Sequence, residues 1–266
     1  MISERYLRLL DALQQAVIAT DIKGLIVEWN HAAETLYGWP RGEALGKNII
    51  DVTPATMSRD HAAEIMQTLA EGQVWSGDFP LRTRDGESFV ASVTDVPIVH
   101  DGVVAGVIGV SARSAGPASL NPSLLRFGAG CDSIWPDHVE LMIRYPESFI
   151  RASEPHLLQL LSLIAFRYAA ALDNGSTLDI LAEPAKESLL SGFGIPPGPI
   201  AHVQIGTRGE RTSASLLRDE ISFADPANFA AALTRVLGGW IFVERDTATH
   251  LLVPVTQVRL SVGQAG

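Results

Sequence analysis

Chemistry in a protein needs nucleophiles, bases or ligands at workable spacing, and this 266-residue chain supplies few of them. It has seven histidines and one cysteine, Cys131. No two histidines stand at a separation suited to a zinc site. Cys131 reads as part of an Asp-containing loop with no adjacent base, a poor setting for a thiolate nucleophile. Neither a Gly-x-Ser-x-Gly elbow nor a Walker A phosphate loop occurs. His156 stands just before the apolar run Leu157–Phe166, and His31 and His61 are each followed by Ala-Ala-Glu. Arg167, at the end of the apolar run, could form a structural ion pair or grip an anionic group.

Composition narrows the class. Apolar residues make up 47% of the chain and charged residues 19%, enough for a packed core and too apolar for global disorder. The length suggests one large or two medium domains. The longest apolar run, Val103–Val110, is far short of a membrane span, and the charged N-terminal segment does not read as a secretory signal. A single cysteine excludes an internal disulfide framework, so a reducing, cytoplasmic setting is expected. The net charge of −10 divides as 15 acids against 9 bases in residues 1–113 and 15 against 11 in residues 114–266. Both halves are acidic, which argues against a direct nucleic-acid footprint.

The elements that must position these residues follow from periodicity. Ile2, Tyr6, Leu9, Leu10, Leu13 and Val17 recur at helical spacing, predicting a helix over Ile2 to about Ala16 whose apolar stripe needs a partner in its own domain or a second copy. Asp21-Ile22-Lys23-Gly24 joins two short extended runs as a hairpin. Asn30 stands as N-cap and Gly38 as C-terminal stop of a short helix. A helix over Arg59–Ala70 turns Ala62, Ile65, Met66 and Leu69 to one side, and three strands follow, joined through Asp85-Gly86 and His100-Asp101-Gly102. Residues 112–123 read as a linker. Beyond it the sequence predicts a strand over Val139–Arg144, a buried helix over Glu154–Leu172, a strand over Thr177–Leu181, an irregular loop over 191–199, and a strand over His202–Ile205. A helix opening at Asp225-Pro226 and a hairpin of Trp240–Glu244 with Thr249–Val253 complete the pattern.

The first half, with TDIKGLIVEWNHAAETLYGW, EALGKNI, WSGDFPLRTRDGESF and a strand ending IGVSAR, resembles a PAS sensory domain over roughly residues 10–113. The resemblance implies a five-stranded antiparallel sheet cupping a small pocket under short helices, used for a ligand or for subunit pairing. The flavin light sensors of this family need a reactive cysteine after the first hairpin; residues 1–113 contain none, which excludes that photochemistry. The haem members use a histidine on the long helix, and His61 sits at the matching position, seven residues after Pro54. The basic residue expected early in the next strand is absent, with Gly77 and Asp78 in its place, and the plainer reading of His61 is a helical surface residue. Trp29, Trp39 and Trp75 read as core or rim residues.

The second half, through residues 155–180 and 228–255, resembles the ATP-binding domain of sensor histidine kinases, an α/β-sandwich. The resemblance implies particular ATP ligands, and this chain departs from them. Arg167 stands at the magnesium asparagine position and Leu163 at its companion. A cation at a metal-ligand position repels the metal. Gly206 stands for the adenine-reading aspartate, Arg208 for a glycine of that box, and no glycine lid motif lies between Ala214 and Phe229. His156 lacks the following acid that a phosphoacceptor carries, and between the two domains there is no room for a phosphoacceptor helix hairpin.

The resulting expectation is an α+β chain divided as an N-terminal helix (1–16), a PAS domain (17–113), a linker (114–123) and a degenerate kinase-ATPase-like domain (124–262). It expects no catalytic residues, no bound metal and no ATP, with haem at His61 as the one cofactor weighed. Partners expected are a second copy through the N-terminal helix, and a two-component kinase or response regulator, without membrane or nucleic acid. The alternatives are a divergent histidine kinase and a haem gas sensor.

Overall fold

The structure, a computed structural model, describes residues 4–54, 59–100, 103–114, 116–146, 148–166, 168, 172, 175–192, 194–208, 238–244 and 248–257. The chain opens with α1 (Glu4–Ala12), which stops short of the expected Ala16 because Gln14 takes a positive φ of 56° and β1 (Ala16–Asp21) begins at once. The Asp21–Gly24 turn leads into β2 (Ile26–Trp29); the Asp21 carboxylate accepts from the Lys23 and Leu25 amides. Asn30 caps α2 (His31–Tyr37) as expected: its Oδ1 accepts from Ala33 N at 3.0 Å and from Val17 N at 2.7 Å, tying the helix start to β1. Gly38, at φ 76°, ends that helix.

Short helices α3 (Arg41–Ala44) and α4 (Ile49–Val52) and the longer α5 (Arg59–Ala70) precede β3 (Trp75–Arg82), β4 (Ser88–His100) and β5 (Val103–Arg113). These five strands form one antiparallel sheet in the order β2-β1-β5-β4-β3. Ile18, Trp29, Tyr37, Leu81, Phe89 and Val93 form the core under its helix-covered face.

The segment 114–123, expected as a linker, carries β6 (Pro117–Ser119) and the start of α6 (Leu120–Ile134). Its small and prolyl residues hide the reason, which is that Ala118, Leu120 and Leu124 are buried in the second core. Cys131, expected in a loop, lies on α6 and is fully buried. After β7 (Val139–Ile143) comes β8 (Ser148–Ser153), a strand the sequence does not announce, and then α7 (Glu154–Phe166); most of the expected helix beyond it, as far as Leu172, lies outside the described residues. Next come β9 (Thr177–Pro184), α8 (Glu187–Gly192, partly inside the expected irregular loop), β10 (Ile200–Arg208), β11 (Trp240–Glu244) and β12 (Ala248–Gln257). They build a second, mixed sheet in the order β6-β8-β12-β10-β9-β7, with β11 also on β12 and only β7–β9 parallel. The chain is thus α+β with two sheets. The helix expected from Asp225-Pro226 lies outside the described residues, as do Arg167 and the stretch Ala214–Phe229.

The two sheets are not separate bodies joined by a tether. Helix α1 has two apolar faces: Tyr6 and Leu10 pack on Val17, Ala19, Ile108 and Val110 of the first sheet, while Leu9 and Leu13 enter the core of the second half beside Phe127 and Leu157. The stripe proposed for contact with a second copy is therefore covered within the chain, every one of these four residues being 3% exposed or less. Arg126 on α6 locks the junction. It pairs with Glu154 at 2.8 Å and donates to the Leu13 carbonyl and the Gln14 side chain, satisfying the orphaned end of α1.

Leu13→Ala should lower the unfolding free energy by about 2–5 kcal/mol, because it opens a cavity shared by both halves. Ile22→Ala, at a side chain 70% exposed, should change it by no more than about 0.5 kcal/mol. Denaturant unfolding of the two variants checks the contrast.

Candidate functional site

Between the helix-covered face of the first sheet and helices α4 and α5 lies a cavity of about 1,200 Å³. The sequence positions its wall by period. Val93 and Asp95 on β4 point inward, as do Gly109 and Ser111 on β5, and Ala62, Ile65, Met66 and Leu69 supply the α5 side. These four are the residues expected on the apolar side of that helix. Phe79, Leu81 and Tyr37 extend the apolar wall. Ile22, Ile50, Met66 and Val103 belong to the same cavity yet are 63–74% exposed, so its mouth has an apolar rim open to solvent.

Few polar groups face this space. The Tyr37 hydroxyl and Ser111 Oγ are 2.8 Å apart and satisfy each other, and burial holds the phenol above its ordinary range. Asp95 differs. Among the described residues its carboxyl has no hydrogen-bond or ion-pair partner. It lies opposite Gly109 in the β4–β5 ladder, where a Cβ would stand 2.8 Å from Asp95 Oδ1. The glycine leaves the room that the carboxyl occupies. Loss of hydration pushes the Asp95 pKa up to about 7. The sequence reading missed this residue. The signal available was an acid on β4 in period with the apolar inward residues Ala91 and Val93.

On the opposite face of the same strand, Ser92 and Thr94 are also polar and are fully buried. Thr94 Oγ1 donates to Gln159 Oε1 of α7 at 2.8 Å and lies 2.9 Å from Ser76 Oγ. Gln159 Nε2 donates in turn to Gln15 Oε1 at 3.1 Å and to the Val110 carbonyl at 3.4 Å. Ser92 Oγ lies 2.7 Å from Ser153 Oγ, which is 3.1 Å from His156 Nδ1. His156 is 2% exposed, and burial lowers its pKa, so its imidazole is held neutral inside an interface between the sheets.

The remaining candidates are scattered. His61 is on α5, but its side chain lies outside the described residues. His31 is on the surface end of α2, 3.2 Å from Glu34. Cys131 is enclosed in the second core, where burial and the neighbouring Asp132 push its thiol pKa up, away from nucleophilic use. Gly206 and Arg208 lie on β10, and Leu163 lies on α7 with its side chain outside the described residues. Trp29 is core, its indole N–H donating to the Trp39 carbonyl, whereas Trp39 and Trp75 are partly exposed. Among the described residues no group of three His, Cys, Asp or Glu could hold a metal ion, and no helix is long and apolar enough to cross a membrane.

Because folding raises the Asp95 pKa, the native state keeps a proton that the unfolded chain releases near pH 4. Its contribution is therefore intact below about pH 4 and is lost as pH rises through about 7. Asp95→Asn should gain thermal stability relative to the parent between pH 5 and pH 8. A melting-temperature difference that stays constant across that range would show a hydrated carboxyl instead.

Residues 4–111 match the family model described as the PAS fold. Several solved structures are similar at lower levels. The PAS domain of a protein from Colwellia psychrerythraea is 23% identical over 40% of this chain and 91% of its own, with a TM-score of 0.36. An RNA-binding light-oxygen-voltage receptor is 22% identical over 38% of this chain and 30% of its own, at 0.35. The blue-light activated histidine kinase EL346 of Erythrobacter litoralis is 10% identical over 90% of this chain and 98% of its own, at 0.45.

Proposed function

We propose that this chain, whose residues 4–111 carry the PAS fold, is a signalling protein in which occupancy of the first-sheet cavity alters the second half through direct contact. Strand β4 carries the reading. Val93 and Asp95 face the cavity, and Ser92 and Thr94, their immediate neighbours, are hydrogen-bonded to β8 and α7 of the other half. A ligand that shifts β4 must strain or break the Thr94–Gln159 bond, which gives two arrangements for a signal to choose between.

The second half acts in this proposal as a docking module without phosphotransfer. The sequence supports this: Arg167 and Leu163 replace the magnesium-side asparagines and Gly206 replaces the adenine-reading aspartate of the kinase ATPase domains it resembles. The buried, neutral His156 adds to it. Its partner would be a two-component kinase or response regulator in a reducing cytoplasm. Haem on His61 is not the reading we adopt. Haem carries two propionates, whereas the described cavity wall presents Asp21, Glu71 and Asp95 and no cationic side chain.

Thr94→Val should speed amide exchange in residues 154–166 several-fold while leaving α5 unchanged, as read by hydrogen exchange. Equal exchange in both proteins would remove the coupling. Incubation with magnesium and radiolabelled ATP should leave the protein unlabelled; label on any histidine would make it a kinase instead.

A further inference from the structure

Three carboxylates and no Lys, Arg or His side chain line the cavity among the described residues. The three are not equivalent. Glu71 is exposed, and Asp21 already accepts the Lys23 and Leu25 amides through one oxygen. Asp95 alone sits mid-sheet with a carboxyl that has no partner among the described residues, in a space that Gly109 keeps free. The rest of the wall is aliphatic and aromatic, and it leads out to the apolar rim of Ile22, Ile50, Met66 and Val103. An anionic ligand would meet repulsion from every charge on the described wall. A neutral hydrocarbon filling the cavity would shut the Asp95 carboxyl off from water without a partner, which costs free energy. Charge complementarity is met by a molecule with an apolar body and a cationic nitrogen.

We propose that the cavity binds a lipophilic cation, whose protonated amine or amidinium nitrogen donates to the Asp95 carboxylate while its apolar body lies against Phe79, Leu81, Ile65 and Leu69. Glu71 and Asp21 draw the cation toward the cavity and repel anions. This ligand class rests on the cavity being the sensory site proposed above, and it narrows what that site can read.

Three probes of one shape test it: 1-naphthylmethylamine, 1-naphthalenemethanol and 1-naphthoate, titrated calorimetrically into the full chain at pH 7.5. The amine should bind about ten-fold or more tightly than the alcohol, as a buried charge-assisted hydrogen bond warrants, and the carboxylate most weakly. Asp95→Asn should bring the amine to the affinity of the alcohol and leave the alcohol unchanged. If Asp95→Asn does not fold, the order of the three affinities in the parent protein decides alone. Alcohol or carboxylate binding as tightly as the amine would overturn the cationic assignment while keeping the cavity as a site. Failure of all three to bind would overturn the site itself, and with it the sensory reading.

Discussion

The two-residue period of β4 is the constraint on which this molecule depends. A strand inside a sheet must present alternate side chains to opposite faces, and over residues 91–96 both faces are covered by different halves of the chain. Ala91 and Val93 enter the core of the first half and Asp95 its cavity, whereas Ser92 and Thr94 meet α7 and β8 and Val96 enters the core of the second half. A slip of one residue would place Thr94 in the cavity and Asp95 against Gln159. Register along β4 therefore fixes the wall of the cavity and the contact between halves in one step.

The interface is built to hold that register. Apolar packing alone would tolerate sliding, because one methyl group substitutes for another. Hydrogen bonds do not: Thr94, Gln159 and Gln15 form a chain in which each group has a specific partner, shut away from water. Helix α1 adds a second clamp, with Asp11 Oδ1 accepting the Ala32 amide on one side and Arg126 holding the Leu13 carbonyl on the other. The helix that the sequence offers as a handle for another molecule is consumed in joining the chain to itself.

Much of the first half was legible because its turns carry local chemistry. Asn30 and Gly38 bound α2, and Asp85-Gly86 joins β3 to β4, with Gly86 at φ 87°. The second half was read less well because its small residues serve contacts distant in sequence. Gly128 and Gly130 look like helix breakers, yet they let α6 approach Leu141 and Leu13 closely; a Cβ at position 130 would stand 2.7 Å from Leu13 Cδ2. No local pattern reports that approach. Likewise, apolar periodicity fixed which side of α5 faces inward, but it could not say that the sheet opposite would be held far enough away to leave a cavity. The spacing between layers is a property of the whole unit.

The pairing of β12 has a consequence for how the chain folds as it is made. The first sheet is complete in sequence by Arg113 and can close while the rest is still being synthesised. The second sheet cannot. Strands β8, β10 and β11 all pair with β12, which spans Ala248–Gln257, so the apolar helix α7 and the edge of β8 must wait for more than ninety further residues. During that interval the part of the outer face of the first sheet that α1 leaves uncovered, around Val96, is the apolar surface already formed nearby. A finished first sheet would act as a template on which the nascent α7 is held until its own sheet arrives.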